Sequence, residues 1–209
     1  MAVQSLIYLS LWLTTSLVVR RRGPSTTVAP TFTKYNSRLY SLASFLLLLL
    51  LLSPYPHHDT PARTLFHLSK FYEYVDVLGV TAGGGAVDLH FAFHHLTTPW
   101  LTFVRVLPGC EGWRWFGAAN VGHHALMYAY FGGWEGVRSV VLWTGQAQLG
   151  IGIAADGWAV WERLARGEGA EGVWRFLVSG GLLGLYWVLS VREMRARATA
   201  RGKEEGKGE

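Results

Sequence analysis

Cysteine is nearly missing from this chain. Cys110 stands alone among 209 residues, so no intrachain disulfide framework can hold the fold. It has no histidine close in sequence and reads as a small packed hydrophobe rather than a nucleophile. Charge is scarce too. Asp, Glu, Lys and Arg make up 16 % of the residues, against about 25 % in an ordinary soluble domain, which argues against a water-soluble globule. No basic and aromatic residues interleave on a polar face, which excludes nucleic acid as a partner. No internal repeat divides the sequence.

What the chain has instead is hydrophobic length. Half of it is apolar, with ten Trp, nine Tyr and ten Phe. Phe45 is followed by seven consecutive leucines, a run suited to lipid or to a neighbouring membrane helix. The fold class expected is an all-α integral membrane protein, a polytopic bundle of about seven transmembrane helices. Spans are predicted at 2–19, 39–53, 69–82, 86–106, 115–131, 139–162 and 173–191. Arg20, Arg21 and Arg22 follow the first span rather than precede it, which is wrong for a signal peptide and right for an anchored helix. Pro54 and Pro56 end the second span. His57, His58, Asp59 and Arg63 are then predicted in a loop, and the triple glycine at 83–85 makes the next turn. Residues 1–191 form one domain, and 192–209 a polar tail expected to be disordered.

Seven spans put the two ends of the chain on opposite sides. On that topology twelve of the 19 Lys and Arg fall on the side of the C-terminus. The bias predicts a lumenal N-terminus and a cytosolic C-terminus.

Ionisable groups inside a span are costly and usually mark a working site. His90, His94 and His95 sit in the fourth span. Lys70, Glu73 and Asp76 follow one another at three-residue steps in the third, which places them on one side of a helix. Asn120, His124 and Tyr128 form a four-residue stripe in the fifth, flanked by Met127 and Tyr130, while His123 points elsewhere and reads as packed. Thr144, Gln146 and Gln148 add polarity to the sixth, where glutamines equally serve as glue between helices. Counted from the helix ends, Glu73, His94, His124 and Gln148 all lie roughly 12–14 Å below one surface at 1.5 Å per residue. Four polar clusters delivered to one layer by oppositely running helices point to a shared buried chamber.

At these residues the sequence resembles the ELO family of fatty acid elongases. Lys70, Glu73 and Asp76 match the family's K-x-x-E-x-x-D segment, and Phe-His-His at 93–95 matches the end of its H-x-x-H-H box. Asn120, His124, Met127, Tyr128 and Tyr130 match every specified position of N-x-x-x-H-x-x-M-Y-x-Y. The likeness runs from about residue 34 to about 191. Phe91 stands where the family's first box histidine would be, with His90 one place early. Gln148 is the better equivalent of a family glutamine, Gln146 is out of register, and Ile151 replaces a second one. The glycines at 83–85 replace residues that are often basic, and Lys207 alone makes a weak retrieval signal.

The resemblance implies a multi-pass enzyme of the endoplasmic reticulum membrane, a very-long-chain 3-oxoacyl-CoA synthase whose bundle encloses an acyl tunnel. It would condense a long acyl-CoA with malonyl-CoA, giving 3-oxoacyl-CoA, CoA and carbon dioxide, with no metal and no cofactor beyond these substrates. His94 or His95 would attack the thioester or act as base. Asn120, His124, Tyr128 or Gln148 would donate to the oxyanions, and Lys70, Glu73 and Asp76 would support the histidines. Membrane lipid, a second copy of the chain and the other elongation-cycle enzymes are the expected partners. Two other readings stay open. His90-x-x-x-His94-His95 also resembles a histidine box of a membrane di-iron desaturase or hydroxylase, and the displaced His90 and Gln146 fit a catalytically degenerate scaffold.

Overall fold

The computed structural model describes residues 1–205, and among them there is no β-strand. Eight α-helices follow in order: α1 (Ala2–Arg22), α2 (Val28–Leu52), α3 (Asp59–Tyr72), α4 (Tyr74–Ala82), α5 (Leu89–Arg105), α6 (Trp113–Phe131), α7 (Arg138–Ala165) and α8 (Ala170–Glu205). Helices α3 and α4 form one rod interrupted at Glu73, so the bundle has seven rods.

Three differences from the sequence reading have local causes. The third rod begins at Asp59 rather than at 69, so Asp59 and Arg63 are helical and not in a loop. Pro61 falls in the first turn, where its missing N–H breaks no hydrogen bond. Asp59 pairs there with Arg63 at 2.8 Å and with Arg114 of α6 at 3.1 Å. Helix α2 likewise starts at Val28, eleven residues early, because the Ser25 hydroxyl accepts from the Ala29 N–H at 3.1 Å. The eighth helix continues past 191 to Glu205, through a stretch rich in strong helix formers. Lys207 lies outside the described residues.

Six rods close a ring in the order α2, α6, α7, α8, α5, α3–α4 and back to α2, with α1 outside it against α4. Tyr8 is the one buried residue of α1. Its ring meets Tyr74 of α4 at 4.4 Å, and the Trp100 indole of α5 donates to Ser5 at 2.9 Å. Helices α1, α2 and the 170–196 part of α8 are long and apolar enough to cross a membrane by composition alone. The other rods carry polar residues on their inner faces, which lowers their mean hydropathy. Trp143 and Trp161, 80 % and 60 % exposed on α7, stand about 27 Å apart at the helical rise, the separation expected of two interfacial aromatic belts.

The ring is polar in one half and packed in the other. Towards the face that carries Met1, the axis is filled by Leu51, Phe66, Leu101, Phe116, Leu183 and Tyr186. Thr97 spends its proton on the Phe93 carbonyl, so Tyr186 donates to it at 2.7 Å and ties α8 to α5. Arg105 of α5 meets Asp156 of α7 at 2.6 Å and lies over the Phe176 ring of α8. The axis is therefore packed towards the Met1 face, and a cavity lies towards the opposite one.

Gly152 of α7 measures how tight this half is. A Cβ there would lie 2.8 Å from Leu183 and 3.0 Å from Phe116, while one at Gly157 would meet nothing within 4 Å. Gly152→Ala should cost about 1–3 kcal/mol by overpacking. Gly157→Ala should be neutral or stabilise by up to about 1 kcal/mol through helix propensity. Thermal unfolding of the two variants in one detergent checks both signs.

Candidate active site

The break between α3 and α4 is where the site begins. Glu73 is 0 % exposed and Lys70 2 %, and the two pair at 2.6 Å. An unpaired carboxylate here would carry a desolvation cost of several kcal/mol. The same Glu73 oxygen accepts from the Tyr40 hydroxyl of α2 at 3.0 Å. It also lies 3.3 Å from His124 Nε2. His124 Nδ1 is 2.7 Å from the Asn120 carbonyl, and a carbonyl only accepts, so Nδ1 carries a hydrogen. The contact of Nε2 with Glu73 is favourable when a second proton lies between them.

Lysine has no acceptor, so it orders the amides beyond it. Lys70 donates to Asn120 Oδ1 at 2.8 Å, and Asn120 Nδ2 then donates to Gln148 Oε1 at 2.7 Å. What remains is the Gln148 Nε2 group, at the wall of a cavity. The sequence reading had Asn120 itself among the possible oxyanion donors. Here both ends of its amide are engaged with Lys70 and Gln148, and it does not line the cavity.

That cavity has a volume of about 730 Å³. Its mouth lies among Lys34, Gly83, Gly85, Asp88, Phe131 and Glu193, towards the ends of α2, α4, α5 and α6 and beside the middle of α8. Its inner wall brings together His90, His94, His95, His123 and His124 with Asp76, Met127, Tyr128 and Gln148. His94 faces Tyr186 at 5.0 Å between ring centroids and His95 at 5.3 Å. The buried His95 Nδ1 has no hydrogen-bond partner. Phe91 sets its edge against the His95 ring at 4.5 Å. Tyr128 donates to Asp76 across the α6–α4 boundary.

Most residues singled out from sequence thus reach one vestibule or the charged layer behind it. Tyr130 is not among the lining residues; its ring meets that of Phe131, at the cavity mouth, at 5.5 Å between centroids. Gln146 turns to Ser190 of α8 at 2.9 Å, the interhelical role foreseen for such a residue. His67 is bonded to Thr102 at 2.7 Å, deep in the packed half. Among the described residues no three His, Cys, Asp or Glu converge as the ligands of a metal ion would.

Tyr40 and Tyr186 escaped the sequence reading, and His123, read there as merely packed, lines the vestibule. His123 Nδ1 lies 2.9 Å from the Thr144 hydroxyl. Thr144 already gives its one proton to the Val140 carbonyl at 2.9 Å. His123 Nδ1 must therefore be the donor, which leaves Nε2 a bare lone pair in the vestibule wall. Gly145 makes the room, because a Cβ there would stand 3.2 Å from the imidazole. No spacing within α6 announces this, as both supports come from α7.

Lys70→Met removes the cation and leaves Glu73 and the Asn120 oxygen buried without it. The expected cost is about 3–5 kcal/mol, read as a fall in thermal unfolding temperature in micelles. The double variant Lys70→Met with Glu73→Leu should recover much of that loss.

Comparison with protein families matches residues 1–147 to the ELO family, described as the GNS1/SUR4 family. Comparison with curated proteins finds no match, and neither does comparison with solved structures. The matched segment contains the charged helix break, the α5 histidines and the α6 stripe. The chain is a member of the ELO family.

Proposed function

We infer that this chain is a fatty acid elongase of the condensing type, which joins a long-chain acyl-CoA to malonyl-CoA. The observation that carries this reading is the vestibule itself, where five imidazoles and one oriented amide donor share a wall. An imidazole nitrogen of His94 or His95 attacks the acyl thioester carbonyl, and the CoA thiolate leaves with a proton. Malonyl-CoA then loses its carboxylate as carbon dioxide. The electron pair released forms the enolate, whose carbon attacks the acyl-imidazole and frees the histidine as 3-oxoacyl-CoA forms. Both steps develop negative charge on oxygen, for which the Gln148 amide stands ready as donor. His123 Nε2 is placed to take up a proton and return it.

The orientation follows from how the basic residues are neutralised. On the Met1 face, Arg63 and Arg114 share Asp59, Arg163 pairs with Glu111 and Glu168, and Arg166 with Glu162. Arg20, Arg21 and Arg22 close α1 on the mouth face, and Lys34 stands at the vestibule entrance. This charge balance supports a cytosolic mouth, reached by soluble CoA thioesters, and a lumenal N-terminus in the endoplasmic reticulum membrane.

Purified protein with labelled malonyl-CoA should release carbon dioxide only when a long acyl-CoA is present. His94→Ala or His95→Ala should abolish that release while leaving the folded protein intact. Normal rates in both variants would remove the histidine chemistry. Gln148→Leu should lower turnover by about 10²–10³-fold. Cys110, the single cysteine, sits between α5 and α6 on the Met1 face. In sealed microsomes an impermeant maleimide should label it only after permeabilisation, and labelling before that step would reverse the assigned topology.

A further inference from the structure

Two cations of α2 stand on the outer surface of the ring without a carboxylate. Lys34 and Arg38 are exposed and one helical turn apart. Arg63, Lys70, Arg105, Arg114, Arg163 and Arg166 each pair with an acid, but among the described residues these two do not. Arg38 Nε donates to the Gly132 carbonyl at the end of α6, at 2.7 Å. That bond fixes the guanidinium, which lies 5.6 Å from the centre of the Tyr35 ring, and leaves both Nη groups for another acceptor. Gly133 beside it has a φ of 104°. A Cβ there would stand 3.3 Å from Lys34 Cε, 3.7 Å from Lys34 Nζ and 3.8 Å from Arg38 Nη2. Both cationic heads thus converge on one point, where glycine leaves the room.

The depth of the pair says what faces it. Helix α2 ends at Leu52, and at the helical rise Arg38 stands about 21 Å and Lys34 about 27 Å from that end. A hydrocarbon layer is about 30 Å thick, so Arg38 springs from below its edge and reaches up to the headgroups. A guanidinium turned to lipid is costly unless an anion meets it. Capping the C-terminus of α6 accounts for Nε alone, and for nothing of Lys34. Below the pair, Leu42, Phe45 and Leu49 continue the same side of α2 at helical spacing, each about half exposed. Phe131 and Trp134 are exposed at the adjoining end of α6, where aromatic rings suit the interface. Arg20, Arg21 and Arg22 are exposed as well, but no hydrogen bond fixes their side chains.

We propose that Lys34 and Arg38 clamp the headgroup phosphate of an anionic phospholipid at the α2–α6 edge of the ring, with one of its chains laid along Leu42, Phe45 and Leu49. A guanidinium with two free Nη groups and an ammonium beside it supply charge-assisted donors to different oxygens of one phosphodiester. Two cations against a single phosphate leave a positive excess. A lipid with further negative charge therefore fits better than a zwitterion, whose own cation would face the pair. Lys34 also borders the vestibule, so the bound headgroup forms part of the rim of its mouth.

The test uses the full chain in phosphatidylcholine nanodiscs with a trace of phosphatidylserine that carries a photoreactive diazirine near the glycerol end of one chain. Crosslinks should fall on residues 38–45 and 131–134. They should disappear when unlabelled phosphatidylserine is added and persist with the same amount of extra phosphatidylcholine. Lys34→Gln combined with Arg38→Gln should lower this labelling at least about tenfold, the effect expected of two basic residues at a charged surface. Lys34→Gln alone should lower it severalfold, and this exposed side chain has no partner in the fold to lose. Replacing Arg20, Arg21 and Arg22 together by Gln removes one charge more than the double variant and should leave the labelling unchanged. An equal fall in that triple variant would reduce the site to diffuse surface charge and overturn the proposal. So would unchanged labelling in the double variant, or labelling that phosphatidylserine does not displace. Displacement by free CoA would give the pair to a soluble nucleotide and end the lipid assignment. Crosslinking needs no turnover, so none of these outcomes depends on the condensation reaction.

Discussion

A lysine and a glutamate buried together in a hydrocarbon-like interior set the terms for the rest of this molecule. Neither Lys70 nor Glu73 can stay charged there alone, and each is satisfied by the other within one helical turn. That constraint explains why the third rod breaks at Glu73, since the interruption carries the carboxylate in among Tyr40, Lys70 and His124. It also gives direction to the amides. A cation that can only donate fixes which end of Asn120 faces it, and through Asn120 which end of Gln148 is left for the vestibule. Electrostatic order at the centre thus becomes donor geometry at the wall.

The ring around that centre divides its labour by depth. Towards the mouth, polar side chains and glycines leave space. Towards the Met1 face, aromatic and leucine side chains fill the axis, and the Arg105–Asp156 pair adds a second neutralised charge layer. The packed half holds the rods in register so that α4, α5, α6 and α7 bring their polar groups to one level. Helix α1 takes no part in closing the ring, and is held against it by the Tyr8–Tyr74 ring contact and by hydrogen bonds from Tyr74 to Gln4 and from Trp100 to Ser5.

Much of this was legible in the sequence, for physical reasons that also mark where legibility ended. The rods could be read because lipid demands long apolar segments and leaves few alternatives. Their common polar level could be read because helical rise converts residue counts into depth. The start of α3 could not, because its exposed polar turn looks like a loop until Arg114 of α6 arrives beside Asp59. His123 looked packed because Thr144 and Gly145, which hold it and give it room, belong to another rod. Asn120 was seen as a direct donor because its sequence context does not reveal that Lys70 and Gln148 occupy both ends of its amide. Tyr130 matched a motif and still falls outside the cavity lining, beside Phe131, since a four-residue stripe constrains Tyr128 but not its neighbour two places on.

The Arg105–Asp156 pair has an implication for how this half of the molecule can vary. Two opposite charges sealed from water tolerate exchange only together, because either one left behind is an orphaned ion. A route from this pair to an apolar one therefore passes through an intermediate less stable than both ends.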